Sequence, residues 1–317
     1  MGALKNIVAA TGLLAAAGIG ETVYFYNRTM KRGNAKTERT TKMSGTDWAK
    51  YFPLMEERKK FVMVQQHRDV YLTSFDGLKL HATYFPAING TEQAEKIVIC
   101  FHGYTGEGLS NHMAIADYFL KHGYAMLLPD ARAHGESEGE YIGFGCLDRQ
   151  DALSWIRWTI RECGENVKIM LHGTSMGGAT VLMASGLELP ANVKGIVSDC
   201  GFTSPKEVFT HVLNHMYHLP AFPAIQGADL LNKRLAGYGM DECNARREVQ
   251  KAKVPILFIH GSADTFVPCS MCHEIYDSCK SPKRKLIIEG AAHAESYYKD
   301  MDAYEKALTE FSEEIMS

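Results

Sequence analysis

The apolar run Val167 to Leu171 leads into Gly173-Thr174-Ser175-Met176-Gly177, which leads directly into the small-residue run Gly178 to Ala184. This order reads as a strand, one tight turn and a helix. Such a junction restricts the possible folds, because the strand has to lie in a sheet and the helix has to pack back on it, leaving the turn at the sheet's rim. The glycines on either side let the backbone turn without a side-chain clash. A serine at the apex is held out toward neighbouring loops, where a base can take its proton and backbone amides can face a developing negative charge. Taken alone, the pentapeptide also fits a plain glycine-rich connection.

The rest of the chain repeats the pattern. Asp69 to Ser74 and Leu78 to Phe85 alternate around Asp76-Gly77, the signature of a hairpin. Strand Lys96 to Phe101 is followed by helix His112 to Lys121, and strand Tyr124 to Leu128 by helix Asp148 to Arg161. Further strands are expected at Val193 to Ser198, Val254 to Ile259 and Lys285 to Ile288. The alternation predicts an α/β fold, with a mostly parallel sheet and helices on both faces. In such folds ligands collect outside the carboxyl ends of the strands.

The residues at those ends carry chemistry. His102-Gly103-Tyr104-Thr105-Gly106 closes one strand, His260 to Pro268 closes another with Asp264 inside it, and Glu289 to Ala294 follows the last with His293. Ser175, Asp264 and His293 stand in the order nucleophile, acid, base. In that arrangement the acid holds the imidazole in the tautomer that accepts the serine proton. The backbone N–H groups of Tyr104 and Met176 are the candidate oxyanion pair. Asp199 and His134 are rival acid and base, and chain order favours Asp264 and His293.

These residues resemble the α/β-hydrolase superfamily, and within it the serine-aminopeptidase-like and prolyl-oligopeptidase-like branch that includes many bacterial esterases. The likeness runs from about Val70 to Ile315. It rests on His102-Gly103, on Pro129-Asp130-Ala131-Arg132-Ala133-His134-Gly135-Glu136-Ser137, on the serine turn, on Ser198-Asp199, on the Asp264 loop and on His293. Ala133 departs from the pattern, since relatives often carry glycine there. The resemblance implies an α/β-hydrolase fold over residues 69–317 with a helical lid at about 200–253. Phe202, Phe209, Val212, Met216, Tyr217, Leu219, Phe222 and Ile225 of that lid are expected to shape a pocket, or else to bury a small subdomain's own face. The implied activity is a serine hydrolase that cleaves carboxylic esters of small molecules through an acyl-enzyme. A peptidase or amidase is the alternative, with Glu136 or Glu138 holding a substrate amine, and a membrane-tethered scaffold without catalysis is a third reading. Asp130, Arg132 and His134 are implied to order the loop beside the pocket.

With 34 basic against 37 acidic residues and a net charge of -3, the chain has no broad basic face for nucleic acid. No cofactor or metal is expected. Cys269, Cys272, Ile275 and Cys279 repeat at helical spacing, as one helix face would, rather than as a haem or zinc motif. His211, His215 and His218 lack a matching carboxylate or cysteine. Trp155 and Trp158 are expected to pack rather than to react.

Residues 1–32 read as a hydrophobic anchor or signal segment. A helix from Ile7 to Tyr26 would extend about 30 Å and just cross a bilayer core. Cleavage after Ala15-Ala16-Ala17, giving a secreted protein, and a helix packed on the domain are the competing readings. Asn6 excludes a myristoylation motif. Residues 33–68 read as linker and lead-in. The basic residues after the apolar run favour a cytoplasmic domain, resemblance favours export, and the oligomeric state is left open.

Overall fold

The computed structural model describes residues 20, 22–32, 46–88 and 94–317; most of the expected anchor and the linker at 33–45 lie outside them. The sheet consists of β1 (Arg68–Thr73), β2 (Lys79–Phe85), β3 (Lys96–Phe101), β4 (Ala125–Pro129), β5 (Lys168–Thr174), β6 (Val193–Asp199), β7 (Ile256–Gly261) and β8 (Lys283–Ile288). Their spatial order is β1-β2-β4-β3-β5-β6-β7-β8. The β1–β2 and β2–β4 pairs are antiparallel, and every later pair is parallel. Strands β4 and β7 are buried along their whole length, as a sheet covered on both faces requires.

Side-chain alternation along the strands divides the core in two. Ile97, Ile99 and Phe101 of β3 and Ile169 and Leu171 of β5 face one layer; Val98, Cys100 and Met170 face the other. The second layer is closed by α1 (Phe52–Met63), α2 (Gly108–Lys121) and the C-terminal helix Met301–Met316. The first is closed by α3 (Asp148–Cys163), α4 (Met176–Ala184), α5 (Pro205–His211), α6 (Ala224–Leu235) and α7 (Cys269–Ser278). Trp155 is fully buried, with its ring 5.9 Å from that of Trp158. Cys272, Ile275 and Cys279 lie together in the core, and all eight cysteines are free thiols.

Helix α2 starts four residues before the expected position. Gly108 passes so close to β4 that a methyl there would lie 2.4 Å from the Leu128 carbonyl oxygen. Its N–H donates to Asp130 Oδ1 at 2.7 Å, so a carboxylate from another loop caps the helix. Ala133 adopts φ 61, the left-handed conformation that suits glycine better than alanine.

Between β6 and β7 the chain forms a cap around α5 and α6. Tyr217 and Phe222 are both exposed. Phe209 does point inward, its ring 5.0 Å from that of Phe144.

Over residues 22–32 the N-terminal segment follows the packed-helix reading rather than the anchor or signal. Residues 22–29 are helical and packed on the domain. Tyr26 and Met30 are fully buried, and the Tyr26 hydroxyl donates to Asn232 Oδ1 of α6 at 3.2 Å. The Met30 carbonyl accepts from Ile142 N–H at 2.8 Å, and the Arg32 guanidinium bonds the Gly135 carbonyl at 2.7 Å. A membrane span reaching Tyr26 is therefore ruled out, since those residues belong to the domain. Among the described residues no helix is long and apolar enough to cross a membrane. Truncating a buried aromatic costs about 3 to 5 kcal/mol. Tyr26→Ala is thus expected to loosen this segment, measured as markedly faster limited proteolysis within residues 20–32 than in the parent chain.

Candidate active site

Ser175 sits between β5 and α4 with φ 57 and ψ -112, a strained conformation for a residue with a side chain. Three contacts hold it there. Its N–H donates to the Asp199 carbonyl at 2.8 Å. A methyl on Gly173 would lie 2.1 Å from the Gly177 carbonyl oxygen, and one on Gly177 would lie 1.9 Å from the Phe101 carbonyl oxygen. Only glycine fits at either position, so the turn that ends β5 is wedged between β3 and β6.

The three expected side chains meet there. Ser175 Oγ lies 2.8 Å from His293 Nε2, and His293 Nδ1 lies 2.7 Å from Asp264 Oδ2. All three residues are buried, with the Phe266 ring 5.0 Å from the imidazole. Asp264 Oδ1 accepts two backbone bonds, from Phe266 and Val267 N–H, each at 2.9 Å. Burial alone would raise this carboxyl's pKa. The neighbouring His293 and the bonds from His260 and His293 more than reverse that, holding it well below the usual carboxylate range. A permanently ionised acid beside Nδ1 favours the tautomer with its proton on Nδ1, leaving Nε2 to accept from the serine.

His260, which the sequence reading passed over, is a second imidazole on the same carboxylate. Its Nε2 lies 3.3 Å from Asp264 Oδ2 and donates to the Val267 carbonyl at 2.8 Å. A histidine inside an otherwise apolar strand was the available signal.

The candidate oxyanion amides are aimed by their own peptide groups. A trans peptide points its C=O and N–H in opposite directions. The Gly103 carbonyl accepts from His102 Nδ1–H at 2.7 Å and from Gly106 N–H at 3.0 Å, which turns the Tyr104 N–H the other way. The Ser175 carbonyl accepts from Ala179 N–H inside α4 at 2.9 Å, so the Met176 N–H points out of the helix start. Gly103 lies against the serine, where a methyl would be 3.4 Å from Ser175 Cβ.

Behind this loop stand two histidines held neutral. Burial, helped by nearby His134, pushes the pKa of His102 down to about 3, and burial lowers that of His134 as well. His102 Nε2 accepts from Ala131 N–H at 2.9 Å, and His134 Nε2 accepts from Thr105 N–H at 3.3 Å. Asp130 fixes the second loop by accepting from Glu136 N–H at 2.9 Å and bonding His81 Nδ1 at 2.8 Å. Arg132 forms a two-bond pair with Asp151, at 2.7 and 2.9 Å.

The rival acid occupies a different environment. Asp199 accepts from the Tyr304 hydroxyl at 3.2 Å, its Oδ1 has no partner, and burial pushes its pKa up to about 6. His134, the rival base, is spent on the Thr105 amide. Glu136 accepts from the Tyr71 hydroxyl on the edge strand at 2.9 Å, and Glu138 caps Lys79 N–H at 2.8 Å; both are exposed. His211 bonds the Thr265 carbonyl at 3.0 Å and stacks on His215, tying the cap to the acid loop. Among the described residues, one group of side chains is compact enough for a metal ion, with donor atoms of Cys200, Asp264 and His293 within 4.8 Å of one another. Its carboxylate and imidazole are the pair already bonded to each other.

Two further concavities, of about 310 and 430 Å³, lie away from this site. One is at the β1 edge beside Tyr71 and Trp158, and the other is at the amino ends of β3 and β5 beside Lys96 and Lys168. An aromatic run extends from the loop that carries the Tyr104 amide: Tyr104 packs on Phe144 at 5.3 Å, and Phe144 packs on Phe209.

Two variants separate these roles. A carboxyl with its pKa raised from 3.8 to about 6 weakens the fold as pH climbs through that window, by on the order of 3 kcal/mol above it. Asp199→Asn should therefore raise Tm at pH 8, with the gain shrinking toward pH 4.5, and change kcat less than about threefold, whereas Asp264→Asn should cut kcat by about 10³ to 10⁴. Removing one oxyanion donor costs about 10² to 10³ in kcat. His102→Ala, which frees the Gly103 carbonyl, is expected to lower kcat by about tenfold to 10² with little change in KM.

A family model described as alpha/beta hydrolase fold matches residues 96–221. The uncharacterised protein YqkD of Bacillus subtilis (strain 168) is 31% identical over 215 residues, 68% of this chain and 70% of its own length. Among solved structures, the Pyrococcus furiosus esterase Pf2001 superposes with a TM-score of 0.63 at 21% identity, covering 81% of this chain and 94% of its own. A puromycin-hydrolyzing peptidase of Mycobacterium tuberculosis superposes with a TM-score of 0.61 at 19% identity, covering 80% of this chain and 40% of its own.

Proposed function

The chain belongs to the α/β-hydrolase family, and from that premise we propose that it is a serine hydrolase cleaving carboxylic esters by way of an acyl-enzyme. One observation carries the reading: the unbroken line of contacts from Ser175 Oγ through His293 to Asp264, at 2.8 and 2.7 Å.

The steps follow from that line. His293 Nε2 takes the serine proton as Oγ attacks the ester carbonyl, and Asp264 stabilises the imidazolium that forms. The carbonyl oxygen, now negative, is met by the N–H groups of Tyr104 and Met176. Collapse expels the alcohol, which takes the proton from His293 Nε2. Water, deprotonated by the same nitrogen, then releases the acid and restores the hydroxyl.

The fold does not choose between ester and amide, since its structural neighbours include both an esterase and a peptidase. The surroundings of the serine favour the ester. Tyr104 and Phe209, both part-exposed and packed on buried Phe144, offer apolar contact for an acyl group. The two carboxylates that would hold a substrate amine, Glu136 and Glu138, are bound to β1 and β2, four and three strand positions from β5.

Turnover of p-nitrophenyl esters of varied acyl length should exceed turnover of aminoacyl anilides; the reverse preference would overturn the ester reading. Ser175→Ala and His293→Ala should each lower kcat by about 10⁴ to 10⁶, with little further loss in the double variant, because the groups act as one unit.

A further inference from the structure

The outer surface of the cap is apolar where a soluble protein's surface would be polar. Tyr24, Phe222 and Leu230 are 60%, 72% and 70% exposed, and Val23 and Tyr217 are also exposed. Contacts join the segment at 22–25 to the cap that carries the others. The Tyr24 ring packs on Phe25 at 5.6 Å, and Phe25 packs on Tyr217 of the cap at 6.2 Å. Gly227 of α6 abuts the helical segment so closely that a methyl there would lie 2.9 Å from Thr22 Cγ2. Leu230 and Arg234 continue the stripe from Gly227 at helical spacing. Arg28 and Arg234 stand exposed at its border.

The chain that leads into this patch says what covers it. Residues 7–20 hold a single polar side chain, Thr11, and run directly into the segment whose Val23 and Tyr24 lie on the patch. Glu21 ends the apolar run, and Tyr26 and Met30 beyond it are locked into the domain. The run's fourteen residues would make a helix of about 21 Å, short of the ~30 Å needed to span a bilayer. Such a run suits the interface between lipid headgroups and acyl chains, and so do exposed aromatics bordered by arginines. The same segment touches the active-site loop, with the Tyr104 hydroxyl 3.5 Å from the Arg28 carbonyl.

We propose that the cap and residues 22–29 form a single docking face that lays the protein on a bilayer surface, so that acyl ester lipids enter the site from the membrane. The substrate class rests on the ester-hydrolase reading; the docking face does not.

The test uses the full chain and vesicles of phosphatidylcholine and phosphatidylglycerol. A Phe222→Trp reporter should bind them, and its added emission should be quenched by nitroxide-labelled lipid, while the native tryptophans of the parent chain are not. The triple variant Tyr24→Glu, Phe222→Glu, Leu230→Glu should keep the parent's turnover of a soluble p-nitrophenyl ester. Its turnover of a monoacylglycerol held in the vesicles should fall at least about tenfold. The proposal is overturned if vesicle-bound chain leaves the reporter indole unquenched, which would mean that residues 7–20 cover the face themselves. It is equally overturned if the chain ignores vesicles and self-associates through this face, or if the triple variant hydrolyses both substrates like the parent. Quenching in a chain that turns over no ester would keep the docking face and remove the hydrolase reading alone.

Discussion

Everything at the site depends on the backbone of one residue. Ser175 is held at φ 57, a conformation that costs on the order of 1 to 3 kcal/mol, and it persists because the packing allows no alternative. Its amide is bonded to the end of β6, and Gly173 and Gly177 let the turn close against β3 with no space for a side chain. The strain puts Oγ above the sheet's rim. The parallel register of β3, β5, β6, β7 and β8 brings the ends of five strands to that same rim, so residues 118 positions apart in the chain can share a hydrogen bond.

Burial has opposite consequences for the two carboxylates at this rim. Asp264 is surrounded by donors, two amides and two imidazoles, and stays ionised. Asp199 has one hydroxyl donor and an unpartnered oxygen, so its neutral form is favoured well above the usual carboxylate range. Location at a strand end makes both candidates for the acid; the count of donors tells them apart. The same rule holds for the histidines. His102 and His134 are desolvated into neutral imidazoles, each donating to a carbonyl and accepting from an amide, and so act as fixed struts for the loop that bears the Tyr104 amide.

Much of this was legible in the residues. Buried strands are apolar runs, the serine turn carries its glycines in sequence, and the order of Ser175, Asp264 and His293 follows the order of the strands that present them. What could not be read are contacts between distant residues that leave no periodic trace. Asp130 as the cap of α2, His260 as a partner of Asp264 and the docking of Tyr26 on Asn232 are of this kind. Helix α1 was hidden for another reason: Val62 is its only buried residue, so it has almost no apolar periodicity. The cap's apolar residues differ widely in burial, since Phe209 packs on Phe144 while Phe222 is exposed. An apolar composition alone does not say which side is covered.

The central claim is that Ser175 is made nucleophilic by His293. Its most direct measurement is mass spectrometry of the chain after treatment with a fluorophosphonate. The account predicts one phosphonyl group, on the peptide containing Ser175, formed rapidly in the parent and hardly at all in a folded His293→Ala variant. A folded parent chain that takes up no label, or takes it up at another residue, would contradict it.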